Sequence, residues 1–197
     1  MIFDYPAPQA HRRHGPAGYT AVSSFRPWLR DEFDFRCVYC LKREQWGQVT
    51  FEFDIDHFAP QSVMPGAALE YVNLVYACHR CNGVKGTQAI DDPWFCMRSH
   101  RVVVAPDGEL RALDADAERT VLKLDLNSPR LKAWRALWMR IVELARRQDP
   151  ELYSRLVAFP EDLPRLSLVD PPTNTRPEGL LESRYALRER GELPSCD

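Results

Sequence analysis

From Val49 to Ile55 the chain reads V-T-F-E-F-D-I, a strict alternation that predicts a strand with Val49, Phe51, Phe53 and Ile55 facing inward. The same period puts Asp54 and Asp56 on the opposite face and carries His57 onto the inner one. After a loop containing Pro60, Pro65 and Gly66, "YVNLVYA" predicts a second strand, and "CNGVKG" a short helix despite Gly83. Upstream, residues 1–18 read as irregular, punctuated by Pro6, Pro8 and Pro16. Ser23 or Ser24 can then cap a short helix whose apolar side is Phe25, Trp28, Leu29 and Phe33. Downstream, "RVVVAPDGELRAL" predicts a hairpin turning at Asp107-Gly108. A strong helix follows, with Ser128 as its cap, Pro129 at its first position, and Leu131, Trp134, Trp138, Ile141, Val142 and Ala145 as one core-facing stripe. Past Phe159 six prolines break the chain into loops with one short helix near 178–190, and this tail is expected to be an appendage or a partner-binding segment. The pattern divides the chain into a helical lead-in (1–36), a central unit (37–100), a hairpin and helical region (101–158) and a proline-rich tail (159–197).

The chain's 197 residues are enough for one main domain with a substantial core. No apolar run approaches the roughly 18 residues of a membrane span. The opening MIFDYPAPQAHRRHG has no apolar stretch of the kind a secretory signal needs, so a cytoplasmic location and no membrane partner are expected. Net charge is −2, so no global positive field draws in nucleic acid. The charge is uneven, however. Residues 128–147 carry Arg130, Lys132, Arg135, Arg140, Arg146 and Arg147 against Glu143 alone, whereas residues 148–197 hold ten acids and six bases. Solvation of a charged helix face is the ordinary reading of the basic stretch.

Four of the six cysteines fall in two C-x2-C pairs, "CVYC" (Cys37, Cys40) and "CHRC" (Cys78, Cys81). In a reducing compartment that pattern predicts one tetrahedral zinc site rather than disulfides. Four thiolates fill the coordination sphere, so this zinc is structural and leaves no position for water or substrate. A plain zinc ribbon has about 15–20 residues between its pairs. Here the interval is 37 residues, and it encloses the strand that ends on Asp56-His57. Cys96 and Cys196 receive no role.

Asp56-His57 followed by Pro60, then Asn73-Leu74, then Cys78, Cys81, Asn82, Lys85 and Gly86 in order resemble the ββα-metal motif of HNH endonucleases, in the zinc-stapled subtype with Asn as the last letter. The resemblance spans residues 37–86. It implies an α+β fold, a ββα-metal core stapled by the four-cysteine site, with flanking helices and a C-terminal helical and loop region. It also implies phosphodiester hydrolysis, which needs a water made nucleophilic and a cation against the charge developing on the phosphate. His57 is then the general base, since an imidazole can accept a proton at physiological pH. By the same resemblance Asp56 and the side-chain oxygen of Asn82 hold one divalent ion, Mg2+ or Mn2+ by the hardness of those oxygens, and Asn73 pins the loop that orients His57. Asp56 and His57 point oppositely in a regular strand, so the strand must end or bend there for both to reach one phosphate.

Lys85 divides evenly between a phosphate contact and an ordinary helix-end cation. Arg80 and Arg98 are further candidates for phosphate binding. Asp54 reads as an exposed strand carboxylate, with support of Asp56 as the alternative, and His79 as an exposed knuckle residue. His11, His14 and His100 have no constellation around them. DNA is the expected substrate, with RNA as an alternative. Two other readings stand beside the nuclease: a zinc-stapled module that binds nucleic acid or protein without cleaving, and a nuclease subunit active only with a partner. The stretch "LDLNSPRL" and the hairpin before it are loosely similar to the C-terminal halves of bacterial HNH proteins that work beside ATPases in antiviral defence, which makes an ATPase subunit the expected kind of partner.

Overall fold

The computed structural model describes residues 2–46 and 52–194. A two-residue strand, β1 (Pro16–Ala17), precedes helix α1 (Arg26–Glu32); strands β2 (Phe53–His57) and β3 (Leu74–Cys78) pair antiparallel and lead straight into α2 (His79–Lys85). A one-turn helix α3 (Pro93–Cys96) connects to the hairpin of β4 (Val102–Val104) and β5 (Leu110–Ala112). The chain continues through α4 (Ala115–Lys123), α5 (Pro129–Gln148) and α6 (Pro150–Val157) to β6 (Thr173–Asn174) and α7 (Arg184–Glu189) in the tail. Helices around small two-stranded sheets are the α+β class expected, with strand, strand and helix in the order of a ββα core. Among the described residues no helix is long and apolar enough to cross a membrane.

The β2–β3 register sets Asp54 opposite Ala77, Asp56 opposite Val75 and His57 opposite Leu74. Helix α1 packs on β3, with Phe25, Trp28, Leu29 and Leu74 fully buried, and α2 packs across both strands. The alternation expects Asp56 on an open face. Lys85 and Asn82 of α2 instead reach onto that face, so Asp56 is only 4% exposed while Ile55 is half-buried. Val49 and Phe51, expected on the inner face, lie outside the described residues, as does Cys196. Neither Ser23 nor Ser24 caps α1; both sit in a 3-10 turn (Val22–Phe25) that feeds the helix, and Pro27 occupies its first turn.

Pro129 opens α5 as expected, because proline's missing N–H has no partner at that position anyway. Ser128 holds the N-cap position without a side-chain capping bond, and its hydroxyl faces Arg80 instead. Trp134 and Trp138 join Phe3 and Trp46 in an aromatic cluster in which Trp46 and Trp138 stack at 4.6 Å. Arg135, counted among the basic residues of this helix, is fully buried and donates to the carbonyls of Gly108 and Leu126, each at 2.6 Å. The hairpin turn and α5 are therefore pressed together. A Cβ on Gly108, whose φ is +82°, would stand 2.1 Å from the Lys132 carbonyl oxygen, so only glycine fits there.

The tail is held against the first third of the chain rather than standing apart from it. Strand β6 pairs with β1, Leu166 is buried, and Gly179 packs on the Arg13 carbonyl. Arg184 donates its backbone N–H to Asp31 at 2.7 Å and its guanidinium to Asp34. Prolines interrupt the periodicity from which packing could be read, but they leave these single anchors intact.

Candidate active site

The two knuckles converge. Cys37, Cys40, Cys78 and Cys81 are buried, and their sulfurs all lie within 4.8 Å of one another. The first knuckle turns tightly, with Leu41 in the left-handed region donating to the Cys37 carbonyl, and it is tied to β3 by the Val38 N–H on Tyr76 O at 3.0 Å. The second knuckle spans the end of β3 and the first turn of α2. Burial pushes the Cys37 thiol up, while hydrogen bonding with Cys37, Cys40 and Cys81 pulls Cys78 down. Four buried sulfurs in this arrangement fit a tetrahedral zinc, and a dication at their centre would let all four deprotonate. Cys96 sits elsewhere, against the Thr120 hydroxyl.

His57 closes β2, and its Nε2 lies 2.9 Å from the Ala68 carbonyl oxygen. A carbonyl only accepts, so Nε2 carries the proton and the neutral ring keeps its lone pair on Nδ1. Asn73 holds the loop that supplies that carbonyl. Its Oδ1 accepts from Ala59 N at 3.0 Å, and its Nδ2 donates to Ala59 O at 3.0 Å and Ala67 O at 3.1 Å. The Asn73 side chain thus ties both ends of the loop together, one residue from Ala68. A second clamp was not legible in the sequence. Arg12, buried among the rings of Phe33, Tyr71 and Trp94, donates to the carbonyls of Tyr71, Val72 and Leu74 at 2.9, 2.9 and 2.6 Å. Residues 1–18 read as irregular, and nothing local distinguishes the arginine of "HRRHG" that turns inward.

The acids of β2 divide between two partners. Asp56 accepts from Lys85 Nζ at 2.9 Å on Oδ1 and from the Tyr39 hydroxyl at 2.7 Å on Oδ2, and all three residues are buried. Burial and then the Asp56 charge push the Tyr39 phenol well up, so it stays a donor. Asn82 donates through Nδ2 to Asp54 Oδ2 at 3.0 Å, where exposed His79 also points its Nδ1 at 3.0 Å. The structure therefore joins Asn82 to Asp54 and Lys85 to Asp56. Arg80 reaches away from the ribbon, to Leu124 O at 2.8 Å and to Asp125, fastening α2 to the turn after α4. Arg98 is buried with its guanidinium 3.9 Å over the Trp94 ring, and burial pushes it down to about 10.

The carboxylates of Asp54 and Asp56 and the side-chain oxygen of Asn82 are hard donors of the kind a divalent ion takes. Asp56 is, however, held by Lys85 and Tyr39, and Asn82 by Asp54. An ionised carboxylate has about four lone-pair sites, and Tyr39 and Lys85 occupy two on Asp56. Asp54 and Asp56 bring two negative charges against the one positive charge of Lys85.

Residues 37–88 match the family model of the HNH endonuclease. The HNH match encloses all four clustered cysteines together with His57, Asn73, Asn82 and Lys85. Over 52 residues the chain is 36% identical to the Septu protein PtuB of Bacillus thuringiensis. That likeness covers 26% of this chain and spans only about a fifth (20%) of the length of the curated relative. No solved structure matches the chain.

Proposed function

We propose that the chain is a metal-dependent HNH endonuclease that hydrolyses phosphodiester bonds, in DNA, in a reducing cytoplasm. The observation that carries this reading is His57: it ends a strand inside the HNH match, its Nε2 is taken up by Ala68 O, and Nδ1 is left to accept a proton. Nδ1 takes the proton of an attacking water, the hydroxide oxygen bonds to phosphorus in line, and the P–O3′ bond breaks. Water protonates the departing oxygen, leaving 5′-phosphate and 3′-hydroxyl ends. Asp56 and Asn82 would hold one Mg2+ or Mn2+, which when bound supplies positive charge against the phosphate and the leaving oxygen. Asn73 and Ala68 keep the imidazole in one tautomer and orientation. Lys85 is engaged by Asp56 and Arg80 by the turn after α4, so neither is assigned a phosphate contact in this reading. Zinc on the four cysteines staples the strand to the helix.

Cleavage of supercoiled plasmid tests the reading, with Mg2+, with Mn2+ and with EDTA, beside His57→Ala. Metal-dependent cutting should fall by about 10²-fold or more in the variant. Cutting that survives His57→Ala at the same rate would remove His57 from the chemistry. A second reading, the nuclease subunit of an assembly, is favoured by the net charge of −2, which gives weak DNA affinity alone, and by the likeness to PtuB. A partner such as an ATPase subunit would then have to be added before plasmid is cut. Zinc-loaded, folded protein that cuts RNA alone, or nothing under any of these conditions, would point to the other substrate or to a binding module.

A further inference from the structure

We infer that Tyr39 is a positioning residue for the catalytic centre: carried on the first cysteine knuckle, its hydroxyl sets the Asp56 carboxylate for a divalent ion shared with Asn82. This rests on the nuclease reading. Tyr39 lies between two of the clustered cysteines, and its ring is fully buried. Three ties hold it in place. Cys37 and Cys40 anchor its backbone on either side, the Val38 N–H holds the knuckle to Tyr76 O at 3.0 Å, and the Tyr5 hydroxyl donates to the Tyr39 carbonyl. The phenol hydroxyl therefore has little freedom, and it ends 2.7 Å from Asp56 Oδ2.

The other Asp56 oxygen is held at 2.9 Å by Lys85, at the far end of the helix that the second knuckle begins. One carboxylate is thus gripped from both knuckles at once. A core that only needed to fill this space could use phenylalanine. A hydroxyl aimed at a buried carboxylate fixes the plane of that carboxylate, as partners one bond removed from a metal do for its ligands. The zinc staple in this reading does more than hold the motif closed: through Tyr39 it sets the aim of the acid beside His57.

The test is Tyr39→Phe, which keeps the ring and removes the hydroxyl. Mn2+ uptake is followed by electron paramagnetic resonance without DNA, then plasmid cleavage is measured against Mg2+ concentration. Tyr76→Phe serves as the matched control, because it deletes the hydroxyl of a buried tyrosine that is bonded to Glu44, without touching Asp56 or the ties on Tyr39. Zinc content and melting temperature are recorded for each protein. Tyr39→Phe should keep its zinc, and its half-saturating Mn2+ and Mg2+ concentrations should rise by about 10-fold or more. Tyr76→Phe should leave both unchanged. Equal metal dependence in Tyr39→Phe and wild type overturns the inference. So does a Tyr39→Phe protein that sheds its zinc or is unfolded at the assay temperature, because the hydroxyl then serves folding alone. Wild-type protein that neither binds Mn2+ nor cuts overturns the nuclease reading, and the role of Tyr39 falls with it.

Discussion

In the proposed mechanism His57 offers Nδ1 as a base only while Ala68 O occupies Nε2, so the residues that shape the 58–73 loop would control the histidine from a distance. Asn73 makes three bonds there as both donor and acceptor. Asn73→Ala leaves two carbonyls and one N–H without their partner and should cost about 2–3 kcal/mol in urea unfolding. Asn73→Asp should be at least as harmful. It keeps the acceptor for Ala59 N but turns the donor into a second acceptor facing two carbonyl oxygens. If Asn73→Asp unfolded at the wild-type urea concentration, the amide would not be what closes this loop. Both variants should retain zinc, because the cysteines lie on other segments.

At the level of elements, the ribbon and α2 are too small to fold on packing alone, and the four buried sulfurs close them. One zinc per chain is expected by elemental analysis. Removing it by thiol modification and chelation should unfold the ribbon, seen as loss of far-ultraviolet circular dichroism and of amide protection across 53–85. A zinc-free protein with an unchanged spectrum would make the cysteines dispensable to the fold. The contact between hairpin and α5 carries a separate prediction. Gly108→Ala puts a Cβ into the Lys132 carbonyl at a positive φ and disturbs the Gly108 carbonyl that receives Arg135. It should destabilise by about 2 kcal/mol or more. A melting temperature equal to wild type would mean that α5 yields easily at this crossing.

Across the whole molecule, the tail closes over the lead-in through a group of charges. Asp34 meets Arg184, Arg13 and Arg36, and Asp31 meets Arg13, His14 and the Arg184 N–H. Burial works to raise the Asp34 carboxyl, but Arg184, Arg13 and Arg36 outweigh it and hold it below the ordinary value of 3.8. A carboxyl lowered by folding stabilises the protein above its unfolded-state value, and that contribution is lost as pH falls through the folded value. The melting temperature should therefore drop as pH is lowered below about 4. Asp34→Asn should lower it at neutral pH, by the equivalent of about 2–3 kcal/mol, and flatten part of the acid drop. Truncation after residue 158 removes the same anchors and should destabilise the remainder. A truncated chain as stable as the whole would restore the picture of a detachable tail.

The sequence by itself determined what short-range chemistry can carry. Two C-x2-C pairs announce a shared metal, Asp56-His57 before Pro60 and Cys81-Asn82 announce the HNH pattern, and Ser128-Pro129 and Asp107-Gly108 announce a helix start and a turn. Each is legible because its meaning depends on spacing of a few residues or on one residue's backbone preference. Tertiary structure alone decided the partners. Alternation shows that Asp54 and Asp56 share a face, but not that α2 covers it, so the pairing of Asn82 with Asp54 and of Asp56 with Lys85 and Tyr39 could not be read. Arg12 under the 58–73 loop and Arg184 on Asp34 escaped for the same reason: a buried arginine resembles a surface one until the chain distant from it arrives. Periodicity reports which side of an element wants to be dry, whereas the partner of a buried charge is set by whichever segment the fold brings beside it.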